Sequence, residues 1–189
     1  MKAQFLDSEE KYDGSQLVSL HNYLQHKLLG DSIVAWVGPC DVSFEHMADG
    51  EDLIQQAEIR GSKMLHFLVE KFETQLFSAV ALQRLMAAII KDQIAIMATD
   101  KKMAAAMFRE GDDLYIDDRK LSISIATQSP LSSLIHFAVN VSNAGTPVQT
   151  LSLEDLGIDP KILALETMTL FSNEVKSIRQ ATQKVRWVK

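Results

Sequence analysis

The chain has 189 residues, 47% of them apolar and 23% charged, with a net charge of −6 and a pI near 5.3. That is enough chain for one domain over residues 1–189 with a substantial core, and the balance argues against disorder and against sequence-independent attraction to nucleic acid. A single cysteine, Cys40, excludes an internal disulfide; no run of about 18 uncharged apolar residues offers a membrane span; and "MKAQFLDSEEKYDG" lacks the apolar stretch of a signal sequence, so the expected location is the reducing cytoplasm.

After the turn-like "YDGSQ", Leu17, Leu20, Tyr23, Leu24 and Leu28 recur in steps of three and four, which predicts an amphipathic helix over 16–28 closed by Gly30. "SIVAWVG", residues 32–38, reads as a buried strand entering a turn at Gly38 and Pro39. A loop and a short helix over roughly 49–58 follow. "KMLHFLVEKF", residues 63–72, alternates as a strand with Met64, His66, Leu68 and Glu70 on one face and Leu65, Phe67 and Val69 on the other. Thr74 is the expected N-cap of the clearest helix, whose apolar stripe from Leu76 to Ile90 must cover a sheet. The apolar run "IAIMA" comes next, and "KKMAAAMF" is open between helix and loop.

Two strands are expected at about 113–127 and 134–141. Ser152 with Asp155 has the form of a capping box, and Asp159-Pro160 starts a long C-terminal helix near residue 160. Its basic end, Lys176, Arg179, Lys184, Arg186 and Lys189, complements a helix dipole. Helices interleaved with short apolar strands point to an α/β or α+β sheet with helices packed on a face.

Polar residues on otherwise apolar strands are the candidate site. His66 and Glu70 share a strand face, His136 alternates with aliphatics in "LIHFAVN", and Lys120 opens a β run after an acidic turn. Cys40, after Gly38-Pro39, is either a small buried hydrophobe or, beside His46 or His66, a nucleophile. Glu45, His46, His66, Glu70, Asp113 and His136 are metal-binding residue types without local ligand spacing, so no metal is assigned.

"DLYIDDRKLSISIA" followed by "LIHFAVNV" resembles the central part of biotin and lipoate protein ligases. Asp112, Asp113, Leu114 and Tyr115 stand where those enzymes have Asn-Asp-aliphatic-aromatic, Lys120 stands at their ligand lysine and Asn140 at the Asn that ends the third segment. Over the whole length, "YDGSQL", "GDSIVAWVGPCDV", "MLHFLVE", "GDDLY", "KLSISIATQS" and "GTPV" resemble a family of small archaeal and bacterial proteins, the domain of unknown function three-six-six. The resemblance implies an α+β fold like that of the ligases and class II aminoacyl-tRNA synthetases, with a mixed or antiparallel central sheet flanked by helices.

On that reading the protein is an enzyme acting on a small carboxylate or acyl-group ligand, with Lys120, His66, Glu70 and His136 catalytic. Asp112, Asp113, Ser122, Ser124, Asn140 and Cys40 are then the ligand-binding candidates. The alternative is a non-catalytic small-molecule binding protein. ATP is the cofactor the resemblance implies. Two departures argue against ATP-dependent ligation: the ligases' Gly-rich loop is represented here by the lone Gly61 of "EIRGSKMLHFLVE", and Ile123 replaces a glycine of close ligand approach. The expected partner is a small molecule, without nucleic acid or membrane, and a homodimer is compatible with the apolar C-terminal helix and the sheet edges.

Overall fold

The computed structural model describes residues 1–188, so Lys189 of the basic tail lies outside the described residues. The main sheet has five strands in the order β1 (Lys2–Phe5), β2 (Ser32–Val42), β3 (Ile59–Phe72), β8 (Ser132–Asn140) and β7 (Ser122–Gln128). Only β1 and β2 run parallel; the other pairs are antiparallel. A second sheet is formed by β4 (Phe108–Glu110), β5 (Asp113–Ile116) and β6 (Arg119–Lys120). The helices are α1 (His21–His26), α2 (Gly50–Gln55), α3 (Leu76–Met97), α4 (Lys101–Ala105), α5 (Leu153–Leu156) and α6 (Pro160–Thr182). This is the expected α+β architecture with a mixed sheet flanked by helices. Among the described residues no helix is long and apolar enough to cross a membrane.

The two faces of the sheet are covered differently. Leu65, Phe67 and Val69 of β3 and Ile135, Phe137 and Val139 of β8 pack on Met86, Ile90 and Ile94 of α3 and on Leu163, Met168 and Phe171 of α6. Burial of that many large side chains makes this the main source of stability, at about 1.5–3 kcal/mol per side chain. The opposite face, with Val34, Trp36, Met64, Leu68 and Ala138, is covered by Leu6, Tyr12, Leu17 and Leu28 from the irregular N-terminal segment. His66 and His136 lie on this second face, as strand alternation requires.

Several elements differ from their sequence reading. The expected helix over 16–28 is reduced to α1, because Leu20 (φ 66°) and Lys27 (φ 60°) both adopt left-handed backbone at its ends. The expected turn at Gly38-Pro39 is a bulge: β2 continues to Val42, with a register shift between Gly38 and Cys40. β3 begins at Ile59, four residues earlier than read, so Arg60 and Gly61 are strand residues paired with Asp41 and Cys40. α2 is shorter than the reading over 49–58, and Gln75 rather than Thr74 is the N-cap of α3, which absorbs "IAIM" and is capped by Ala98. The first five residues of "KKMAAAMF" are α4.

The single strand expected at 113–127 is three strands. Asp117 (φ 55°) and Asp118 make a two-residue reversal between Ile116 and Arg119, a geometry that requires positive φ and that aspartate tolerates. The capping box at Ser152 and Asp155 and the Asp159 cap of α6 are formed as read.

Gly38 has a packing role that the bulge makes legible. The segment holding Glu10 and Tyr12 crosses β2 at this point, and a Cβ on Gly38 would collide with the Glu10 carbonyl. Tyr12 is then fixed by hydrogen bonds from its N–H to the Pro39 carbonyl and from the Asp41 N–H to its own carbonyl, each 2.9 Å. Gly38→Ala is expected to lower the unfolding free energy by about 1–3 kcal/mol in urea titrations, the usual cost of forcing extra atoms into a packed site. A change within about 0.5 kcal/mol would show that the crossing is not tight.

Candidate functional site

The second sheet face opens into a cavity of about 250 Å³ at the end where β7 and β8 approach α2 and the β5–β6 hairpin. Its deep wall is Tyr12 and His136, its flanks are Val42, Ile59, Ile123 and Ile125, and its rim carries Asp49, Asp52, Asp112, Asp113 and Lys120. The bulk is small for a ligand pocket, which typically spans ~300–1,000 Å³.

The deep wall is an aromatic stack. The rings of Tyr12 and His136 lie 3.6 Å apart at 7°, and Trp36 and His66 stack behind at 4.9 Å. His66 is 0% exposed and His136 2%, on adjacent strands, with Leu68 opposite His136 and Ala138 opposite His66. Their rings are joined by a 3.1 Å contact from His66 Nδ1 to His136 Nε2, and His66 Nε2 lies 3.1 Å from the Gly38 carbonyl oxygen.

These contacts assign the protons. A carbonyl only accepts, so His66 Nε2 carries hydrogen. Burial holds the His66 imidazole neutral by lowering its pKa to about 4, so its Nδ1 is a bare acceptor. The proton between the rings therefore sits on His136 Nε2. Burial and the neighbouring His66 also push His136 well below the usual histidine range, so it is neutral and its Nδ1 presents a lone pair. That atom opens into the cavity with no protein hydrogen bond among the described residues, and so does the hydroxyl of Tyr12, a side chain only 2% exposed.

The rim is electrostatically asymmetric. Lys120 Nζ is 2.7 Å from Asp113 Oδ2 and half-buried. Burial alone would lower the lysine pKa, but the hydrogen bond and charge of Asp113 outweigh it and hold the ammonium above its ordinary value. Asp112 Oδ2 receives 2.7 Å and 2.6 Å hydrogen bonds from Gln83 of α3 and from Ser124 of β7. Asp49 caps α2, accepting from the N–H groups of Glu51 and Asp52. Burial, then the charge of Asp49, raises the pKa of Asp52, while Lys120 opposes the rise.

Of the sequence candidates, His46, Lys120, His136, Asp112, Asp113 and Ser124 line the cavity, His46 from the exposed side with its Nδ1 3.2 Å from Ser43 Oγ, and His66 supports it from behind. The structure does not bring Glu70, Ser122, Asn140 or Cys40 to it. Glu70 accepts from the Leu20 N–H and from Ser132 Oγ, both at 2.7 Å, and so holds the left-handed Leu20 turn. Ser122 Oγ accepts from the Leu114 N–H. The Asn140 amide donates to the carbonyls of Lys120 and Leu151, fixing the backbone that carries the lysine. Cys40 packs in the apolar cluster of the second face, and burial pushes its thiol up to about 12, which leaves no thiolate for nucleophilic work near neutral pH.

Sequence reasoning passed over Tyr12, Asp49, Asp52 and Gln83. Only Asp49 carried a signal, as an acid at the start of a helix. Among the described residues no three His, Cys, Asp or Glu side chains converge as metal ligands.

The tautomer chain generates a pH test. Both histidines, with ordinary values near 6.5, are depressed in the folded state, so the unfolded chain binds more protons on acidification. Their contribution to stability is complete above pH 6.5 and falls below it, by up to about 1.4 kcal/mol per pH unit for each ring, the His66 part ending near pH 4. Nitrogen-detected NMR is expected to show both rings as Nε2–H tautomers that do not titrate between about pH 5 and 8. A ring protonating near pH 6.5 would break the chain of assignments.

Residues 1–186 match the family described as "Domain of unknown function (DUF366)". An uncharacterised protein of Methanocaldococcus jannaschii is 30% identical over 97% of this chain and 84% of its own. A solved protein of unknown function from Pyrococcus horikoshi superposes with a TM-score of 0.92 at 36% identity, covering 100% of this chain and 99% of that one. Biotin protein ligase from Aquifex aeolicus, solved in complex with biotin and ATP, superposes with a TM-score of 0.58 at 14% identity, over 95% of this chain and 72% of the ligase. The last likeness shows the fold, that of the biotin and lipoate protein ligases. The chain belongs to the DUF366 family.

Proposed function

We propose that this protein binds a small organic molecule in the cavity between Tyr12, His136 and the acidic rim, and that it does so without forming an acyl-adenylate. One observation carries the reading: two side chains 2% exposed, Tyr12 and His136, line the cavity with polar atoms that no protein group satisfies. Polar atoms of side chains this buried are nearly always paired, so two that open into a cavity without a protein partner mark where a ligand or ordered water supplies the bonds. The ligases of similar fold include one solved with biotin and ATP, which supports small-molecule binding as the use of this scaffold.

Two features argue against nucleotide use. The segment matching the ligases' Gly-rich loop is the start of β3, an extended strand paired with β2 and not a loop whose amides can wrap a phosphate. The rim holds four carboxylates and one ammonium, a poor field for a triphosphate. The protein is taken to act in the cytoplasm, where Cys40 remains a thiol.

A second reading, an enzyme acting on a carboxylate or acyl compound, is favoured by the His136 Nδ1 lone pair lying in the same cavity as the Lys120 ammonium, an acceptor and a cation for one substrate.

The two readings separate experimentally. Mass spectrometry of denatured, freshly purified protein is expected to release a small molecule from the wild type and none from Ile123→Trp, which fills the cavity. A ligand at about 100 times its Kd should raise the melting temperature by about 5–10 °C, and only in the wild type. ATP–pyrophosphate exchange with candidate acids is expected at background; exchange abolished by Lys120→Ala would overturn the binding-only reading in favour of the enzyme.

A further inference from the structure

We propose that the molecule held in this cavity carries a cationic nitrogen, an ammonium or an amidinium, received by Asp52 and Asp112 at the rim. The inference rests on the binding reading above and specifies its ligand class. It rests first on a balance of charge. Four aspartates line the cavity against the single ammonium of Lys120, and that ammonium is committed to Asp113 at 2.7 Å. Asp49 spends one oxygen on capping α2, and Asp112 has one oxygen occupied by Gln83 and Ser124. Asp52 accepts no hydrogen bond from the described residues and stands on the first turn of α2 facing the cavity. The unspent groups at the rim are therefore carboxylate oxygens.

A group of acids alone is a solvated surface. The deep wall adds an independent observation: His136 Nδ1 is fixed as an acceptor by the Gly38–His66–His136 chain, and the Tyr12 hydroxyl beside it is unpartnered. Acceptors outnumber free donors from floor to rim. A molecule that satisfies such a site is rich in N–H groups and positively charged, matching the deep acceptor at His136 and the half-buried carboxylates at the rim. A carboxylate would find the one ammonium already paired, three aspartates beyond that pair, and as a further donor only the exposed His46 ring, whose Nδ1 lies 3.2 Å from Ser43 Oγ. The flanks of Val42, Ile123 and Ile125 suit an aliphatic or aromatic body between the two polar ends.

The test uses matched probes on the full chain: benzylamine and benzamidine against benzoate, by ligand-observed NMR and calorimetry. The amine and the amidine are expected to bind at least about tenfold more tightly than benzoate, by the worth of one charge-assisted hydrogen bond. Asp52→Asn is expected to weaken benzylamine by about tenfold with an unchanged melting temperature, since this side chain bonds to nothing in the fold. Asp112→Asn should weaken the amine likewise, with a lowered melting temperature because Asp112 also accepts from Gln83 and Ser124. Benzoate binding as tightly as benzylamine, or amine affinity unmoved in both aspartate variants, overturns the cationic assignment. If benzoate binds and Ile123→Trp abolishes it, the cavity is a binding site of the opposite charge preference. Binding of none of the probes counts against both the ligand class and the pocket.

Discussion

The contact on which this site depends is the hydrogen bond from His66 Nε2–H to the Gly38 carbonyl. That carbonyl belongs to a bulged strand, and its inability to donate fixes the proton of one imidazole, which fixes the proton of the next. Without burial, either ring would protonate near neutral pH and the order would be lost; with it, both stay neutral and a lone pair is delivered to the cavity. Gly38 contributes a second time through its missing side chain, which lets the Glu10–Tyr12 segment cross β2 and lay the Tyr12 ring on His136. Backbone geometry at one residue thus sets both polar atoms of the deep wall.

The division of labour between the sheet faces explains why the cavity is where it is. α3 and α6 seal one face with large aliphatic and aromatic side chains and leave little room for polar groups. The other face is covered by chain with almost no regular structure, from Leu6 to Leu28, and by the short α2. Irregular cover does not close over the end of β7 and β8, and the polar side chains of these strands come to light there. Asp112 and Ser124 are tied to α3 through Gln83, so the rim is anchored to the well-packed side of the molecule.

Much of this was legible in the sequence, and the failures have physical causes. Strand alternation placed His66 on the same face as Met64 and Leu68, and the acid-proline and serine-aspartate signals placed α6 and α5. Lys120 and His136 lie some way apart in sequence and meet in one cavity because β6, which carries the lysine, runs into β7, and β7 pairs with β8. Parity, however, says nothing of distance along a strand. Four residues at about 3.3 Å each separate Glu70 from His66 by about 13 Å, which takes the carboxylate to the Leu20 turn at the far end.

The run from Asp113 to Thr127 has strand propensity on both sides of the acidic turn at Asp117-Asp118, and the positive φ at Asp117 folds it there into a hairpin. Pro39 reads as a turn because it lacks an N–H, and the bulge accommodates that lack inside β2. Tyr12 carried no local pattern; its importance comes from a chain crossing that no periodicity encodes.

The central claim is that the cavity floor of Tyr12 and His136 is completed by a bound molecule. A crystal structure of the protein soaked with benzylamine tests it most directly. The account predicts density for the amine in the cavity, stacked between Ile123 and Val42, with its nitrogen in hydrogen-bond reach of Asp52 or Asp112. A cavity holding only ordered water, with the amine on another surface, would contradict it.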